Sequence, residues 1–97
     1  MPAPTQITPA TKRELKAIGG KLKRARLLRR LPMDVVAERA GTTRPTLQRI
    51  EAGDPNVRAA TYLMVMQALG LLKNLELTDP LDTELSNEHL PVRVRGK

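Results

Sequence analysis

Apolar side chains recur at three- and four-residue steps along the first part of the chain, which is the spacing of amphipathic helices. The first such stripe consists of Leu15, Ile18, Leu22 and Ala25. Thr11 and Glu14 have the spacing of a capping box and predict that the first helix begins there. Gly19-Gly20 interrupts the stripe, so this helix either bends at the glycines or forms firmly only after them.

Proline and glycine divide the following segment into two short helices. Pro32 ends the first helix and can open the second, which we expect over Met33 to Ala40. Gly41 follows as a C-terminal glycine, and Thr43 is the predicted N-cap of a third helix that Gly53 ends. Leu47 and Ile50, three residues apart, face the core from this third helix.

A strongly apolar segment follows and predicts a fourth helix over Thr61 to Leu69, whose start could also lie at Ala59. A helix that is apolar almost all round must be covered on both sides. Further leucines up to Leu77 predict a short fifth helix, which Asp79-Pro80 ends. This apolar excess is either ordinary core or, as we predict, a two-fold interface between copies of the chain. The interface candidates are Leu63, Met66, Leu69, Leu71, Leu72 and Leu75.

Together these elements predict an all-α fold with one compact five-helix domain over residues 11–77. Residues 1–10 contain three prolines and no periodicity, so we expect them to be disordered and flexible. Residues 78–97 form an acidic C-terminal tail, which either keeps the protein in solution or folds onto a protein partner. Within this tail, residues 91–95 alternate apolar and basic side chains and predict a short strand or simply a basic end.

Charge is distributed unevenly between the predicted domain and its tail. The chain carries a formal charge of +7, and residues 12–58 hold 13 of its 17 basic residues with five acidic ones. Residues 74–91 contain five acidic residues and no lysine or arginine. A basic body with an acidic tail favours a polyanion such as nucleic acid as the partner of the body, although such charges also simply aid solubility.

The order of second helix, glycine turn and short third helix is that of a helix-turn-helix, whose second helix can enter the major groove of duplex DNA. Arginine pairs with guanine and glutamine with adenine in that groove, and either side chain can instead hold a phosphate or stay solvated. Arg29 and Arg30 belong to a basic run that we expect either to steer phosphates or to be a solvated face. The candidate DNA contacts are Thr43, Arg44, Pro45, Thr46, Gln48, Arg49, Arg29 and Arg30.

The segment LKRARLLRRLPMDVVAERAGTTRPTLQRIEAG resembles the lambda-repressor/Cro type of helix-turn-helix domain, over about residues 17–72. The matching positions are Leu22, Arg26, Val36-Ala37, Gly41, Thr43, Arg44, Leu47, Ile50-Glu51 and Gly53. The resemblance implies a lambda-repressor-like five-helix fold and a homodimer that binds a palindromic operator in double-stranded DNA. It also implies a structural salt bridge between Arg26 and Glu51 that locks the first helix to the third.

The chain departs from this family where the second helix begins. Members usually have a Ser/Thr cap followed by a glutamine that braces the DNA backbone, whereas this sequence has Pro32-Met33. Methionine cannot donate to a phosphate, so the resemblance leaves that contact absent or supplied by a neighbour such as Arg29 or Arg30.

The later segment AGDPNVRAATYLMVMQALGLLKNLELTDPLDT, followed by HLPVRVR, resembles the small DNA-binding antitoxins of the HipB type. This resemblance implies a repressor of its own operon that also binds a HipA-like serine/threonine kinase toxin. The same segment occurs in stand-alone regulators with no toxin partner, so that alternative stays open.

Few features point to catalysis, cofactors or membranes. The chain has no cysteine, His89 is its single histidine, and no catalytic triad or glycine-rich phosphate loop is apparent, so we expect neither an enzyme nor a cofactor or metal site. The start MPAPTQITPA lacks the features of a signal peptide, and no stretch reaches the length of a transmembrane helix. We therefore expect a cytoplasmic bacterial protein that does not interact with membranes.

Overall fold

The computed structural model describes residues 6–94 and residue 96, and within them it contains helices and no strand. The α-helices are α1 (Pro9–Leu28), α2 (Met33–Arg39), α3 (Arg44–Glu51), α4 (Ala59–Ala68) and α5 (Pro80–Glu84), with one 3₁₀ turn at Leu72–Asn74. The predicted all-α fold with five helices is therefore confirmed. The described part of residues 91–95 is not a strand, and residue 95 and residues 1–5 lie outside the described range.

Helix α1 begins earlier than the capping-box spacing predicts. Thr8, not Thr11, is its N-cap, and the Thr8 hydroxyl oxygen accepts a hydrogen bond of 3.1 Å from the Thr11 backbone N–H. Pro9 then occupies the first turn, where its missing N–H is no loss. The predicted start at Thr11 is therefore wrong, as is the predicted disorder of Pro9 and Ala10.

Helix α1 also runs without interruption through Gly19-Gly20. The glycine at position 19 is instead explained by a close approach between α1 and the C-terminal end of α3. A Cβ added to Gly19 would lie 2.8 Å from the Glu51 carbonyl oxygen and 2.9 Å from the Gly53 nitrogen, and one added to Gly53 would lie 2.7 Å from the Lys16 Cα. Gly19 is thus a packing position at which only glycine fits, and the helix has no reason to bend there.

The core lies between α1, α2, α3 and α4 and contains mainly aliphatic side chains. Its members are Leu22, Ala25, Val36, Ala37, Ala40, Leu47, Ile50, Tyr62, Val65 and Leu69. Tyr62 is the only aromatic residue of the chain, and its hydroxyl donates a 2.8 Å hydrogen bond to the Asp54 carbonyl oxygen. Burial, helped by the nearby Asp54 charge, raises the pKa of the Tyr62 hydroxyl, so it stays a neutral donor and ties the loop after α3 to α4.

Within the single chain, helix α4 is covered on one side, and cover of its other side by a second copy stays a prediction. Tyr62 and Val65 are buried, whereas Leu63 and Met64 are 38% and 43% exposed. Leu69 is only 4% exposed because it packs into the core of its own chain. The structure therefore contradicts the assignment of Leu69 to an interface with a second copy, whereas Leu63, Leu72 and Leu75 remain exposed and Met66 and Leu71 half-buried.

The predicted fifth helix over the leucines up to Leu77 is also wrong. That segment forms only a 3₁₀ turn at Leu72–Asn74, after which Leu75 is extended. Asp79-Pro80 instead begins α5, because the Asp79 carboxylate accepts a 3.0 Å hydrogen bond from the Leu81 N–H.

A buried ion pair joins α1 to the last residue of α3. The Nε and Nη2 atoms of Arg26 donate to the two carboxylate oxygens of Glu51 at 2.7 and 3.0 Å, and Nη1 donates to the Leu31 carbonyl oxygen at 3.1 Å. The two side chains are 10% and 7% exposed. The hydrogen bond to Glu51 raises the pKa of Arg26, an effect that burial partly opposes. The structure thus brings together the two residues whose pairing the family resemblance implies.

Replacing Glu51 by glutamine is expected to lower the free energy of unfolding by about 3 kcal/mol, because Arg26 keeps its charge in a buried place without a counter-charge. Urea unfolding followed by circular dichroism measures the change. Asp34→Asn is the matched control, since Asp34 pairs with Arg44 at the surface, where the side chains are 71% and 60% exposed. Equal losses for the two variants would contradict the anchoring role of the Arg26–Glu51 pair.

Candidate nucleic-acid interface

The turn between α2 and α3 is defined by backbone hydrogen bonds and one glycine. The Thr42 N–H donates to the Ala37 carbonyl oxygen at 2.9 Å, and the Gly41 N–H donates to Glu38 at 3.1 Å. Gly41 has φ +68°, a left-handed conformation that glycine adopts without strain. The chain therefore reverses within a few residues and positions α3 against α2.

Local sequence also determines where α3 begins. The Thr43 hydroxyl oxygen accepts a 3.3 Å hydrogen bond from the Thr46 N–H, and it donates to the Thr46 hydroxyl oxygen at 3.1 Å. Pro45 lies in the first turn, where proline is favoured. The predicted N-cap at Thr43 is confirmed. Both threonine hydroxyls lie at the N-terminal end of α3, the end of a helix that attracts anions.

Helix α3 has one buried and one exposed face. Leu47 and Ile50 are completely buried and hold the helix to the core. The opposite face, which we call the recognition face, is exposed and consists of Arg44, Pro45, Gln48 and Arg49. The structure thus brings the predicted contacts of the third helix together on one side, with Thr43 exposed and Thr46 half-buried at the edge.

Arg44 has a single charged neighbour among the described residues. Its Nη1 lies 3.5 Å from an Asp34 carboxylate oxygen, and both side chains are well exposed, at 60% and 71%. Water screens such a pair, so the guanidinium stays available to a ligand. Asp34 is a residue that the sequence does not single out, because it is ten positions away from Arg44 and only the turn geometry brings the two together.

Arg29 and Arg30 lie where α1 ends, and they differ in what they do there. Arg29 is the C-cap of α1, and its Nη1 donates to the Ala25 carbonyl oxygen at 2.9 Å. This side chain thus supplies a hydrogen bond to a carbonyl group in the last turn of the helix. Arg30 has φ +52°, the only positive φ of a non-glycine residue in the described part of the chain. Most residues other than glycine avoid a positive φ, so the backbone of Arg30 is strained at a position that would suit glycine better.

Met33, at the position where the family resemblance leads to the expectation of a glutamine, is half-buried and packs against the core. The first residue of α2 therefore contributes to packing rather than to a phosphate contact.

Other kinds of site find little support in the described residues. No group of three or more acidic, histidine or cysteine side chains in them is arranged to hold a metal ion. None of the described helices combines the length and apolar character needed to cross a bilayer.

Comparison with known proteins agrees with this geometry. The family model of the helix-turn-helix domain matches residues 17–79, which is more than half of the chain and includes α2, the turn and α3. A search of curated proteins gives no significant match. The chain therefore belongs to the helix-turn-helix domain family and is a DNA-binding regulator.

Proposed function

We propose that the protein is a sequence-specific repressor that inserts α3 into the major groove of an operator in double-stranded DNA. The observation that carries this proposal is the division of α3 into a face completely buried by Leu47 and Ile50 and an exposed face with Arg44, Gln48 and Arg49. A helix held from behind by the core presents these side chains at fixed positions, as direct base readout requires. The protein regulates by binding, and we propose no catalytic activity for it.

We propose that affinity comes mainly from phosphate contacts by the basic body of the chain. Each phosphate contact releases counterions and makes binding depend on salt. Arg30 is the best candidate for the contact that the glutamine makes in relatives, because the guanidinium of Arg29 is already bonded to the Ala25 carbonyl oxygen. The strained backbone of Arg30 supports this role.

We further propose that the protein binds DNA as a homodimer through α4 and the 3₁₀ turn. Leu63, Met64, Leu72 and Leu75 are between 38% and 50% exposed there, so these apolar side chains lack cover in the single chain. A symmetric pair would present two α3 helices about 34 Å apart, one turn of DNA. The operator is accordingly expected to be an inverted repeat.

A second role, as the antitoxin of a HipA-like kinase, is proposed on the resemblance of the later segment and on the exposure of the tail. Leu81 lies on α5 and Leu85 is its C-cap, and they are 57% and 48% exposed, while Leu77 and Leu90 are 96% and 81% exposed. Leucines in an acidic segment that do not pack on their own domain are suited to fold onto a protein partner. A stand-alone regulator without a toxin partner is the alternative.

Replacing Arg44 by alanine is expected to reduce discrimination at one base pair by about 1–3 kcal/mol, because a bidentate base contact is lost. Duplexes enriched from a randomised pool, and variants of them at each position, give the affinities. Arg13→Ala removes the same charge from α1 and should affect all duplexes alike. If Arg44→Ala also weakens every duplex equally, Arg44 contacts a phosphate and the base-reading assignment is wrong.

Replacing Arg30 by glycine is expected to stabilise the fold by about 1 kcal/mol, because glycine adopts a positive φ without strain. The same change should weaken binding to all duplexes and lower the salt slope by about 0.9, as expected for one lost phosphate contact. Thermal unfolding and salt-dependent binding measure the two effects. Arg30→Lys keeps the charge and should bind nearly as the wild type. Unchanged DNA binding by Arg30→Gly would contradict the phosphate role.

The double variant Leu81→Ser/Leu85→Ser is expected to lose the partner kinase while keeping its affinity for DNA, because both side chains lie outside the packed core. Co-expression with the kinase-like product of a neighbouring reading frame, followed by co-purification, measures retention. Leu63→Ser, on the proposed dimer surface of α4, is the control, because it should lower the affinity for DNA and leave retention of the kinase unchanged. If the double variant retains the kinase as the wild type does, the tail is not the binding site; if the wild type retains none, the stand-alone regulator is correct.

A further inference from the structure

We propose that Asp34 is a positioning residue that directs Arg44 toward a base and away from phosphates, and so sets the sequence discrimination of the protein. This inference rests on the proposed function, since it assumes that Arg44 reads a base pair. It adds a residue that lies outside α3 and that carries the opposite charge to the DNA-binding surface.

The geometry places Asp34 beside Arg44, its ion-pair partner among the described residues. Asp34 is in the first turn of α2 and Arg44 is the first residue of α3, so the two meet across the helix-turn-helix. Their contact uses Nη1 of the guanidinium at 3.5 Å. The buried pair of Arg26 and Glu51 instead uses two guanidinium nitrogens at 2.7 and 3.0 Å. The surface contact is therefore weak in water and engages only Nη1, which leaves Nε and Nη2 free to donate to a guanine.

The contact gains strength when DNA covers it. In water the two exposed charges are screened, but a groove excludes water and lowers the effective dielectric constant around them. An arginine already held in one direction also loses less side-chain freedom when it binds. Asp34 thus favours the complex in which Arg44 reaches the base beside it.

Asp34 has the opposite effect on complexes in which Arg44 turns to the backbone. A carboxylate beside the guanidinium is repelled by phosphates and cancels part of the counterion release that Arg44 would otherwise produce. Binding to unrelated duplexes is therefore weakened more than binding to the operator. A repulsive element of this kind raises specificity even when it lowers affinity.

An alternative role for Asp34 is purely local, because an acidic residue in the first turn stabilises a helix through its dipole. That role predicts a change in stability and no change in the choice between duplexes. It also predicts an effect that is independent of Arg44. The two roles are thus separable by experiment.

The test compares Asp34→Asn with Glu38→Gln in the full chain. Glu38 lies one turn further along α2 and is also exposed, and no ion pair of Glu38 occurs within the described residues. Binding is measured over a range of salt to the preferred duplex, to the same duplex changed at the base pair that Arg44 reads, and to an unrelated duplex. Both variants are also made in the Arg44→Ala background.

We expect Asp34→Asn to reduce the affinity ratio between preferred and changed duplex about fivefold. The salt slope on the unrelated duplex should steepen by up to about 0.9, because Arg44 then neutralises a phosphate fully. Glu38→Gln should change neither quantity to this extent. In the Arg44→Ala background, Asp34→Asn should have no further effect on the ratio.

Three results would overturn the proposal. If the wild type discriminates and Asp34→Asn discriminates equally well, Asp34 has no positioning role while the proposed function stands. If Asp34→Asn lowers the ratio as much without Arg44 as with it, Asp34 acts through another residue. If the wild type prefers no duplex at all, the proposed function fails and this inference fails with it.

Discussion

The ion pair between Arg26 and Glu51 fixes the place of α3, the helix that we propose enters the groove of DNA. Helix α3 has eight residues, and an isolated helix of that length is not stable in water. Its position must come from contacts with its neighbours. Two of these contacts have a specific geometry. One is the bidentate ion pair at the last residue of α3, and the other is the close backbone approach at Gly19 and Gly53, where no side chain fits. Leu47 and Ile50 supply the apolar part of the same attachment.

In α3, the residues that stabilise the fold are different from those that we propose contact DNA. The residues that hold α3 lie on its inner face and at its C-terminal end, while Arg44, Gln48 and Arg49 lie outside and belong to no packed cluster. The outer residues are free to vary with the DNA sequence that is read. The inner ones are constrained by the core, by α1 and by the two glycines.

Much of this arrangement is readable from the sequence, because it depends on local signals. Thr43, Pro45 and Gly41 determine the start of α3 and the turn before it through capping and backbone preference, which act within a few residues. The resemblance to a known domain supplied the pairing of Arg26 with Glu51, which spacing alone does not reveal.

Most of the predictions that the structure contradicts concern residues whose environment is determined by contacts with residues distant in the sequence. The error at the start of α1 is local instead: Thr11 has the Glu14 of a capping box, whereas Thr8, the actual N-cap, is followed by Pro9 in the first turn. Gly19 looks like a helix breaker until its contact with Glu51 and Gly53 is known. Leu69 cannot be told from its exposed neighbours by hydrophobicity, since the direction in which α4 is buried depends on the packing of the other helices. Asp34 likewise cannot be identified from the sequence, because only the geometry of the turn brings it beside Arg44.

The single tyrosine gives the molecule a built-in optical reporter with a known location. Tyr62 belongs to the core and is bonded to the loop that follows α3, whereas the recognition face contains no aromatic side chain. Its emission consequently reports on the interior and not on contact with nucleotides. A change in that signal during a titration with duplex, once corrected for the light that DNA itself absorbs, would therefore report a rearrangement of the core or of α4.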